Sequence, residues 1–429
     1  MTPPSCLASV APSTATPSTT DVSSIGSFDF NHHSHRRFNP LTNSWVLCSP
    51  HRTQRPWQGK EEDAEDSSTT SPSFDSKCYL CPGNTRANKT IHRNPDYKDT
   101  FVFENDFPAV QQDQPELVVD DDSFNPLLQV ESVRGQCHVI CFSPNHDKTL
   151  ADMSEQEILP VIDAWIHVYD SLKDKPDINH VQIFENKGAI MGCSNPHPHG
   201  QAWSTQDIPQ ETAQELENMH RYKEKYHRCM LCDYVMTETK TKDTSSFPAG
   251  SMNGKANAVM NGSTHLTNGT SSIPPKSSST STAPDGSRIV CENASFLCVV
   301  PFWATWPFET MVLAKTHVAT LSELNQAQKL DLATILRQLT CRYDNLFKCS
   351  FPYSMGIHQA PTDGNREHHE TSHLHLHFYP PLLRSATVKK FLVGFELLGQ
   401  AQRDLTPEQA AKRLTECSYV HYKKSRVNT

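Results

Sequence analysis

The distribution of apolar residues along the chain predicts a series of short β-strands. The runs GQCHVICFS (135–143), HVQIFENKG (180–188), FETMVLAK (308–315) and HLHLHFYP (373–380) are strand-like in length and composition. Each has either continuous apolar character or alternation between apolar and polar positions, which is the pattern of strands buried on one or both faces.

Helices are predicted between and after these strands. Ser154 and Glu157 have the spacing of a capping box, which marks a helix start. A second helix is predicted from near Ser322 to about Phe347. A short helix near the end of the chain is predicted at Thr406, with Pro407 as its first helical residue.

The same order of elements occurs twice. In each half a strand leads to a histidine, a helix follows, and a second strand comes near an H-x-H pair. His146 and His197 are 51 residues apart in the first half, and His317 and His375 are 58 apart in the second. We therefore predict an α+β fold made of duplicated halves, with mainly antiparallel sheets flanked by helices.

Two polar segments divide the chain. Residues 1–31 and 236–287 are rich in Ser and Thr and carry few large apolar residues, so a disordered tail and a disordered insertion are predicted there. The predicted structured halves are then residues 32–235 and 288–429.

Composition excludes several classes of protein. The formal net charge of -9 argues against a protein that coats nucleic acid, since such a surface would be basic. No apolar run approaches the roughly 18 residues of a membrane helix, so no membrane partner is expected. The N-terminal sequence lacks the features of a secretory signal, so we expect a cytoplasmic protein whose 14 cysteines are reduced and free for packing or metal binding.

The segment GAIMGCSNPHPHGQAW (188–203) carries the candidate chemistry. His197 and His199 would share a face of an extended chain. Glycines permit close approach of a ligand to the backbone, and Ser194, Asn195 and Gln201 are neutral donors suited to phosphoryl oxygens. Nucleotidyl or phosphoryl transfer is favoured over a histidine-rich loop with satisfied side chains.

Two C-x-x-C pairs have the spacing of half a tetrahedral zinc site. The first is Cys78 with Cys81, for which the spacing alone does not separate a metal site from chance. The second is Cys229 with Cys232, for which packing or free thiols are favoured over adventitious metal binding.

Further histidines gather in the second half. Alternation puts His373, His375 and His377 on one face of a strand, so spacing alone does not say which two would bind a metal. A solvated loop is the alternative, and His368 and His369 are assigned to it.

Several segments resemble the galactose-1-phosphate uridylyltransferase family of the histidine-triad superfamily. The motif CSNPHPHGQ (193–201) is similar to the active-site motif of that family. HRRFNPLTNSWVLCSPHRTQRPWQG (35–59), TFVFENDFPA (100–109), PFWATWPFETMVL (301–313) and FYPPLLRSATVKKFLVGFELL (378–398) resemble other family segments in the same order. The resemblance implies two histidine-triad-like halves.

The resemblance implies a two-step transfer. UDP-glucose and galactose 1-phosphate would give glucose 1-phosphate and UDP-galactose, through a covalent uridylyl group on His199. Gln201, helped by Ser194, is the implied donor to the transferring group. Another histidine-triad nucleotidyl transferase or phosphorylase acting on a different nucleotide is the alternative enzyme, and a zinc-dependent interaction module is the non-enzymatic one.

The resemblance also implies two metals. It completes the first cysteine pair as a structural zinc site, with Cys78, Cys81, His146 and His197. It implies a second site for Fe²⁺ or Zn²⁺, with Glu215, His358, His375 and His377.

Substrate contacts are carried over position by position. For nucleotide, phosphate and sugar the implied residues are Arg52, Arg55, Ala87, Asn105, Asp106, Asn186, Gly192, Cys193, Ser194 and Gln201. For the hexose phosphate they are Lys390, Phe391, Val393, Phe395, Glu396 and Gln402. Phe395 stands where relatives often have Tyr. The last stretch implies a homodimer whose subunits share each active site.

Overall fold

A computed structural model describes residues 28–54, 72–88, 92–115, 117, 125–240 and 287–425. Most of the two predicted disordered segments, at 1–27 and 241–286, lies outside these described residues. Residues 236–240 of the predicted insertion are described and are helical.

The described residues form twelve strands and eight α-helices. The strands are β1 (His35–Asn39), β2 (Ser44–Cys48), β3 (Phe101–Glu104), β4 (Gly135–Cys141), β5 (His180–Lys187), β6 (His199–Thr205), β7 (Ile289–Glu292), β8 (Phe296–Val299), β9 (Thr310–Ala314), β10 (Tyr353–His358), β11 (His375–Tyr379) and β12 (Gln402–Arg403). The helices are α1 (Glu155–Leu172), α2 (Gln210–Tyr226), α3 (Met230–Lys240), α4 (Gln326–Phe347), α5 (Arg366–Thr371), α6 (Phe395–Leu398), α7 (Pro407–Thr415) and α8 (Tyr422–Ser425).

Nine strands form one antiparallel sheet in the order β3-β4-β6-β5-β10-β11-β9-β8-β7. The strands of the two predicted halves meet where β5 pairs with β10, and we call this pairing the β5–β10 seam. On either side of the seam the order repeats, with β6 and β4 on one side and β11 and β9 on the other. The predicted α+β fold with mainly antiparallel strands is confirmed.

One hydrophobic core spans both halves. It includes Trp165 of α1, Ile183 of β5, Leu336 of α4 and Leu376 of β11, all fully buried. Helices α1 and α4 pack against each other over this core. Because the two halves share one sheet and one core, each depends on the other for burial of its apolar side chains.

The helix starts follow capping chemistry. The Ser154–Glu157 capping box precedes α1 and the Thr406 cap precedes α7, as predicted. Helix α4 begins at Gln326 and not near Ser322, because Asn325 accepts a hydrogen bond from the Gln328 amide while the Gln328 side chain accepts one from the Asn325 amide. That reciprocal pair satisfies two amide groups that the helix itself leaves without partners.

A small sheet of β1, β2 and β12 is joined to the rest by buried ion pairs. Glu408 at the start of α7 accepts bonds from Arg37 of β1 at 2.9 and 3.0 Å and from Arg288 at 2.9 Å. Arg288 also bonds Glu238 of α3 at 2.9 Å. Within the described parts of the chain, no helix combines the length and apolar character needed to span a bilayer.

Candidate active site and metal centres

A turn with two left-handed glycines brings the candidate nucleophile to the start of β6. Gly188 has φ of 90° and Gly192 has φ of 80°, a region that side-chain-bearing residues rarely adopt. A Cβ on Gly188 would also lie 3.0 Å from Cβ of Pro352. The chain therefore reverses sharply between β5 and the segment that leads to His199.

The His199 ring is oriented by a backbone carbonyl. Its Nδ1 lies 2.7 Å from the carbonyl oxygen of His197. Because a carbonyl oxygen only accepts, Nδ1 carries the proton and the neutral ring keeps its lone pair on Nε2. Burial lowers the pKa of His199, which favours this neutral form.

One pocket brings together six residues predicted from the sequence. It is lined by Phe184 and Gly200 and by the predicted Asn186, Gly192, Cys193, Ser194, His199 and Gln201. These predicted residues come from β5, from the glycine turn and from β6, so the pocket forms only when β5 and β6 pair.

The oxygen atoms of two amide side chains at this pocket accept hydrogen bonds from neighbouring side chains. The indole Nε1 of Trp203 donates to Oε1 of Gln201 at 3.1 Å, and the hydroxyl of Ser354 donates to Oδ1 of Asn186 at 2.7 Å. The NH₂ group of each amide is then available to donate a hydrogen bond to a ligand. Trp203 and Ser354 were missed by the sequence analysis, although Trp203 follows Gln201 by two residues and so shares its face of β6.

The first metal group consists of Cys78, Cys81, His146 and His197, all buried. Sγ of Cys81 lies 3.5 Å from Nδ1 of each histidine. Nε2 of His197 lies 2.9 Å from the Ser143 carbonyl, which leaves its Nδ1 to face the cysteines. Burial lowers the pKa of His197 to about 4, so this ring is neutral as a metal ligand must be.

The second metal group consists of Glu215, His358, His375 and His377. Oε2 of Glu215 lies 2.7 Å from Nδ1 of His358 and 3.3 Å from Nε2 of His375, and Oε1 lies 3.4 Å from Nε2 of His377. Nε2 of His375 and both ring nitrogens of His377 are buried without a hydrogen bond. Buried nitrogens in that state, beside a carboxylate, fit a bound cation.

The charge state of the second metal group suits a cation as well. Burial alone would raise the pKa of Glu215, but the charges of His358 and His377 hold it well below its ordinary value. Burial lowers the pKa of His377 to about 4. The carboxylate is thus ionised. Burial alone would lower the pKa of His358, but the charge and hydrogen bond of Glu215 raise it, so a cation bound here would take the place of the proton on that ring.

A third metal group was not foreseen as a set. The cysteine pair for which packing or free thiols were favoured lies beside two histidines, and the four ligands are Cys229, Cys232, His317 and His373. His373 is therefore separated from its strand neighbours His375 and His377, which belong to the second metal group.

Asp106 is held by two neighbours that the sequence did not identify. Arg86 bonds both carboxylate oxygens, at 2.6 and 3.2 Å, and Asn88 donates to Oδ1 at 2.8 Å. The predicted Ala87 lies between these two residues in the chain. The side chain of Asn105 accepts a bond from the Phe107 amide. Arg55 lies outside the described residues.

The predicted hexose-phosphate residues form a separate group. Nζ of Lys390 bonds Oε1 of Glu396 at 2.5 Å and the Gln402 carbonyl at 2.9 Å. The Gln402 side chain donates to Asp404, which pairs with Arg52 at 3.2 Å. Of the residues that the structure describes as lining the His199 pocket, none belongs to this group.

The apolar residues of the same segment face outward. Phe391 is 62% exposed, Phe395 55% and Leu398 91%, and Val393 and Leu397 are exposed as well. Exposed apolar side chains concentrated in one short segment are typical of a surface that another molecule covers.

Comparison with known sequences identifies similar proteins over nearly the whole chain. A family model described as galactose-1-phosphate uridyl transferase, N-terminal domain, matches residues 26–209, and the model of the C-terminal domain matches residues 275–426. The chain is 48% identical over 405 residues to a galactose-1-phosphate uridylyltransferase of Saccharomyces cerevisiae, covering 92% of this chain and 98% of that protein. It is 47% identical over 396 residues to the Haemophilus influenzae protein of the same name, with coverage of 92% and 98%.

A solved structure described as that of a uridylyltransferase is similar in fold. It superposes with a TM-score of 0.61 at 24% identity, covering 89% of this chain and 97% of its own. At that identity the likeness supports the fold alone.

Proposed function

Since this chain belongs to the galactose-1-phosphate uridylyltransferase family, we infer that it is a nucleotidyltransferase that moves the uridylyl group of UDP-glucose to galactose 1-phosphate. The products are glucose 1-phosphate and UDP-galactose. We propose that the transfer passes through a uridylyl group bound to His199. The observation that carries the proposal is the bond from Nδ1 of His199 to the His197 carbonyl, which leaves Nε2 as the nucleophile.

In the first step Nε2 of His199 attacks the α-phosphorus of UDP-glucose. A P–N bond forms, the P–O bond to glucose 1-phosphate breaks, and glucose 1-phosphate departs with that oxygen and its electron pair. The uridylylated ring is positively charged while Nδ1 keeps its proton. The His197 carbonyl stabilises that charge by accepting a hydrogen bond from Nδ1–H.

In the second step a phosphate oxygen of galactose 1-phosphate attacks the same phosphorus. A new P–O bond forms, the P–N bond breaks, and His199 regains its neutral form. Negative charge on the transferring group is spread over its equatorial oxygens, so fixed donors supply most of the stabilisation. The amide nitrogens of Gln201 and Asn186 are the proposed donors, with the exposed hydroxyl of Ser194 beside them.

Further nucleotide and phosphate contacts are proposed from the family resemblance, and of these Gly192 and Cys193 line the pocket. Gly192 and Cys193 lie in the turn before His199 and offer backbone groups close to the phosphates. Asp106, fixed by Arg86 and flanked by Asn105 and Ala87, is proposed to accept bonds from the ribose hydroxyls. Arg52 and Arg55 are proposed as phosphate contacts, because arginine binds phosphate in a bidentate manner.

The first metal group is proposed to bind a structural Zn²⁺. Two thiolates and two imidazoles close a tetrahedral site with no open position, which suits a structural ion. The ligand His197 is also the residue whose carbonyl orients His199, so zinc would fix the backbone beside the nucleophile. For the second metal group, three histidines and one carboxylate suit Fe²⁺ or Zn²⁺.

A homodimer with shared active sites is proposed from the segment 390–402. The hexose-phosphate candidates are not among the described residues that line the His199 pocket, and their apolar neighbours are exposed. A partner subunit covering this segment would bury those side chains and bring Lys390, Glu396 and Gln402 to its own pocket.

The division into halves at residues 32–235 and 288–429 remains a proposal, supported by the repeated order of strands on each side of the β5–β10 seam. A cytoplasmic location is also proposed. It is supported by the described cysteines, which are all free thiols, as expected in a reducing compartment.

The test of the proposed function is a covalent adduct. The protein is mixed with UDP-glucose alone and its intact mass is measured. We expect a gain of one uridylyl group per chain, which galactose 1-phosphate then removes. His199→Ala should form no adduct, whereas His369→Ala, which alters a half-exposed surface histidine paired with Glu323, should form it normally.

Two outcomes would overturn parts of this assignment. Adduct formation by His199→Ala would show that another residue is the nucleophile. Adduct formation with ADP-glucose and not with UDP-glucose would assign the chain to the alternative class that acts on a different nucleotide.

A further inference from the structure

A cysteine pair and two histidines meet at the edge of α3, outside the active site described above. Cys229 and Cys232 lie at the beginning of α3, His317 follows β9, and His373 precedes β11. Their four ligand atoms lie within 4.8 Å of one another. Nδ1 of His373 lies 3.4 Å from Sγ of Cys229 and 3.5 Å from Sγ of Cys232, and Nδ1 of His317 lies 3.9 Å from Sγ of Cys232.

We propose that Cys229, Cys232, His317 and His373 bind a Zn²⁺ ion, which is a further metal site beyond the two implied by the family resemblance. A tetrahedral zinc with Zn–S of about 2.3 Å and Zn–N of about 2.0–2.1 Å separates neighbouring sulfur and nitrogen ligands by roughly 3.6 Å. The three sulfur–nitrogen distances lie close to that value. Two thiolates also balance the charge of the ion and select a borderline-soft metal over Mg²⁺ or Ca²⁺.

The histidine tautomer suits this role. Nε2 of His373 lies 2.8 Å from the carbonyl oxygen of Ala314. The carbonyl oxygen accepts a hydrogen bond from Nε2–H, so Nδ1 carries the lone pair and faces both sulfurs. A carbonyl partner behind a ligating histidine is a recurrent feature of zinc sites, because it holds the ring in the geometry and tautomer that the metal needs.

The site repeats the geometry of the first metal group on the other side of the β5–β10 seam. His146 follows β4 and His197 precedes β6 by two residues, as His317 follows β9 and His373 precedes β11 by two residues. The His146 and His197 rings are 5.4 Å apart between centroids, and so are the His317 and His373 rings. The correspondence of the histidines arises from the repeated strand order. Both C-x-x-C pairs come from residues 32–235, so the third metal group joins cysteines of the first half to histidines of the second.

The third metal group lies nearer to the surface than the first. His317 is exposed and both cysteines are half-buried, whereas all four ligands of the first metal group are buried. An ion here joins α3 to the ends of β9 and β11, which are far apart in the sequence. Because His317 is exposed, its substitution can weaken the site without disturbing the core.

The test uses Co²⁺ in place of zinc in the full-length protein. Thiolate ligands give cobalt an intense sulfur-to-metal charge-transfer absorption, which the second metal group lacks because it has no sulfur. We expect Cys78→Ser/Cys81→Ser and Cys229→Ser/Cys232→Ser each to remove about half of this absorption. Cys349→Ser, a half-buried cysteine outside all three groups, is the matched control and should retain the full signal.

A single substitution at His317 tests the same site if the double cysteine variant misfolds. His317→Ala should fold and should lose one tightly held metal per chain during chelator dialysis, as measured by elemental analysis. His317→Cys, which restores a fourth ligand, should retain that metal. If Cys229→Ser/Cys232→Ser folds and keeps the full absorption, or if His317→Ala retains the same metal content as the parent protein, the site does not exist.

Discussion

At the scale of single residues, the orientation of the His199 ring depends on a neighbour two positions away. The His197 carbonyl accepts a hydrogen bond from Nδ1–H of His199, and the His197 side chain belongs to the first metal group. The H-x-H spacing therefore has a physical reason. One imidazole can bind a metal while its backbone orients the other.

Trp203 is expected to act on Gln201 as a positioning residue. Trp203→Phe keeps an aromatic ring against Phe184 but removes the N–H that bonds the Gln201 oxygen. Loss of one such bond is worth about 1 kcal/mol, so kcat should fall roughly fivefold. Gln201→Ala removes the donor itself and should lower kcat by about 10²–10³-fold. The rate of adduct formation in stopped reactions measures both effects.

The contrast between these two variants is the control. Galactose 1-phosphate KM should change little in Trp203→Phe, because the substitution alters only the orientation of a donor to the transferring group. A Trp203→Phe enzyme with unchanged kcat would show that the Gln201 amide needs no such partner.

The sequence identified most of the pocket but not the residues behind it. His199, Gln201 and Asn186 were found because they lie in segments that resemble a family. Trp203, Ser354 and Arg86 act through another side chain, so no motif marks them. The partner of Ser354 is set by strand register, since Ser354 lies opposite Asn186 across the β5–β10 seam.

At the scale of elements, the buried ion pairs around Glu408 connect three parts of the fold. Arg37 of β1, Arg288 next to β7 and Glu408 of α7 are each less than 10% exposed. Burial alone would raise the pKa of Glu408, but the bonds and charges of Arg37 and Arg288 hold it below its ordinary value. Neither pairing was predicted, because Arg37 and Arg288 lie 371 and 120 residues from Glu408 in the chain.

Glu408→Gln should destabilise the protein strongly. The substitution keeps the size of the side chain but leaves the Arg37 charge buried without a partner, a loss of about 3–5 kcal/mol. Thermal unfolding should show a clear drop in Tm. Glu370→Gln, which breaks an exposed pair with Arg366, is the matched control and should leave Tm unchanged.

The same carboxyl predicts how stability responds to acid. Its pKa is lower in the folded state than in the unfolded chain, so its contribution is present above the unfolded pKa and is lost as pH falls through the folded value. The difference in Tm between the parent protein and Glu408→Gln should therefore shrink on acidification. A difference that grows in acid would contradict the ion-pair assignment.

Helix and metal assignments show what spacing alone can predict. A capping pair three residues apart located α1, and proline at the first helical position located α7. Ser322 was a wrong start for α4, because Asn325 and Gln328 form the actual cap. Likewise a C-x-x-C pair specifies only half of a site. His317 and His373 reach Cys229 and Cys232 through the tertiary fold, so the third metal group could not be predicted from spacing.

At the scale of the whole molecule, the exposed segment 391–398 predicts the state of assembly. Leu398→Asp should weaken a homodimer that buries this segment. A buried leucine contributes about 1.5–3 kcal/mol, so two copies should raise the Kd by two or more orders of magnitude. Sedimentation at decreasing protein concentration measures the shift toward monomer.

The matched control is Leu127→Asp. Leu127 is 88% exposed, close to the 91% of Leu398, but it lies far from the segment 391–398 in the chain. It should leave the association unchanged. If Leu398→Asp sediments like the parent protein, the segment is not the dimer interface.

The β5–β10 seam has a consequence for any truncated form of this protein. A polypeptide that stops before β10 would expose the backbone amide and carbonyl groups of β5 that pair with β10 between Ile183 and Lys187. An unpaired edge strand of this kind can pair with the same strand of another copy. Premature termination should therefore yield insoluble aggregates and not a working half-enzyme.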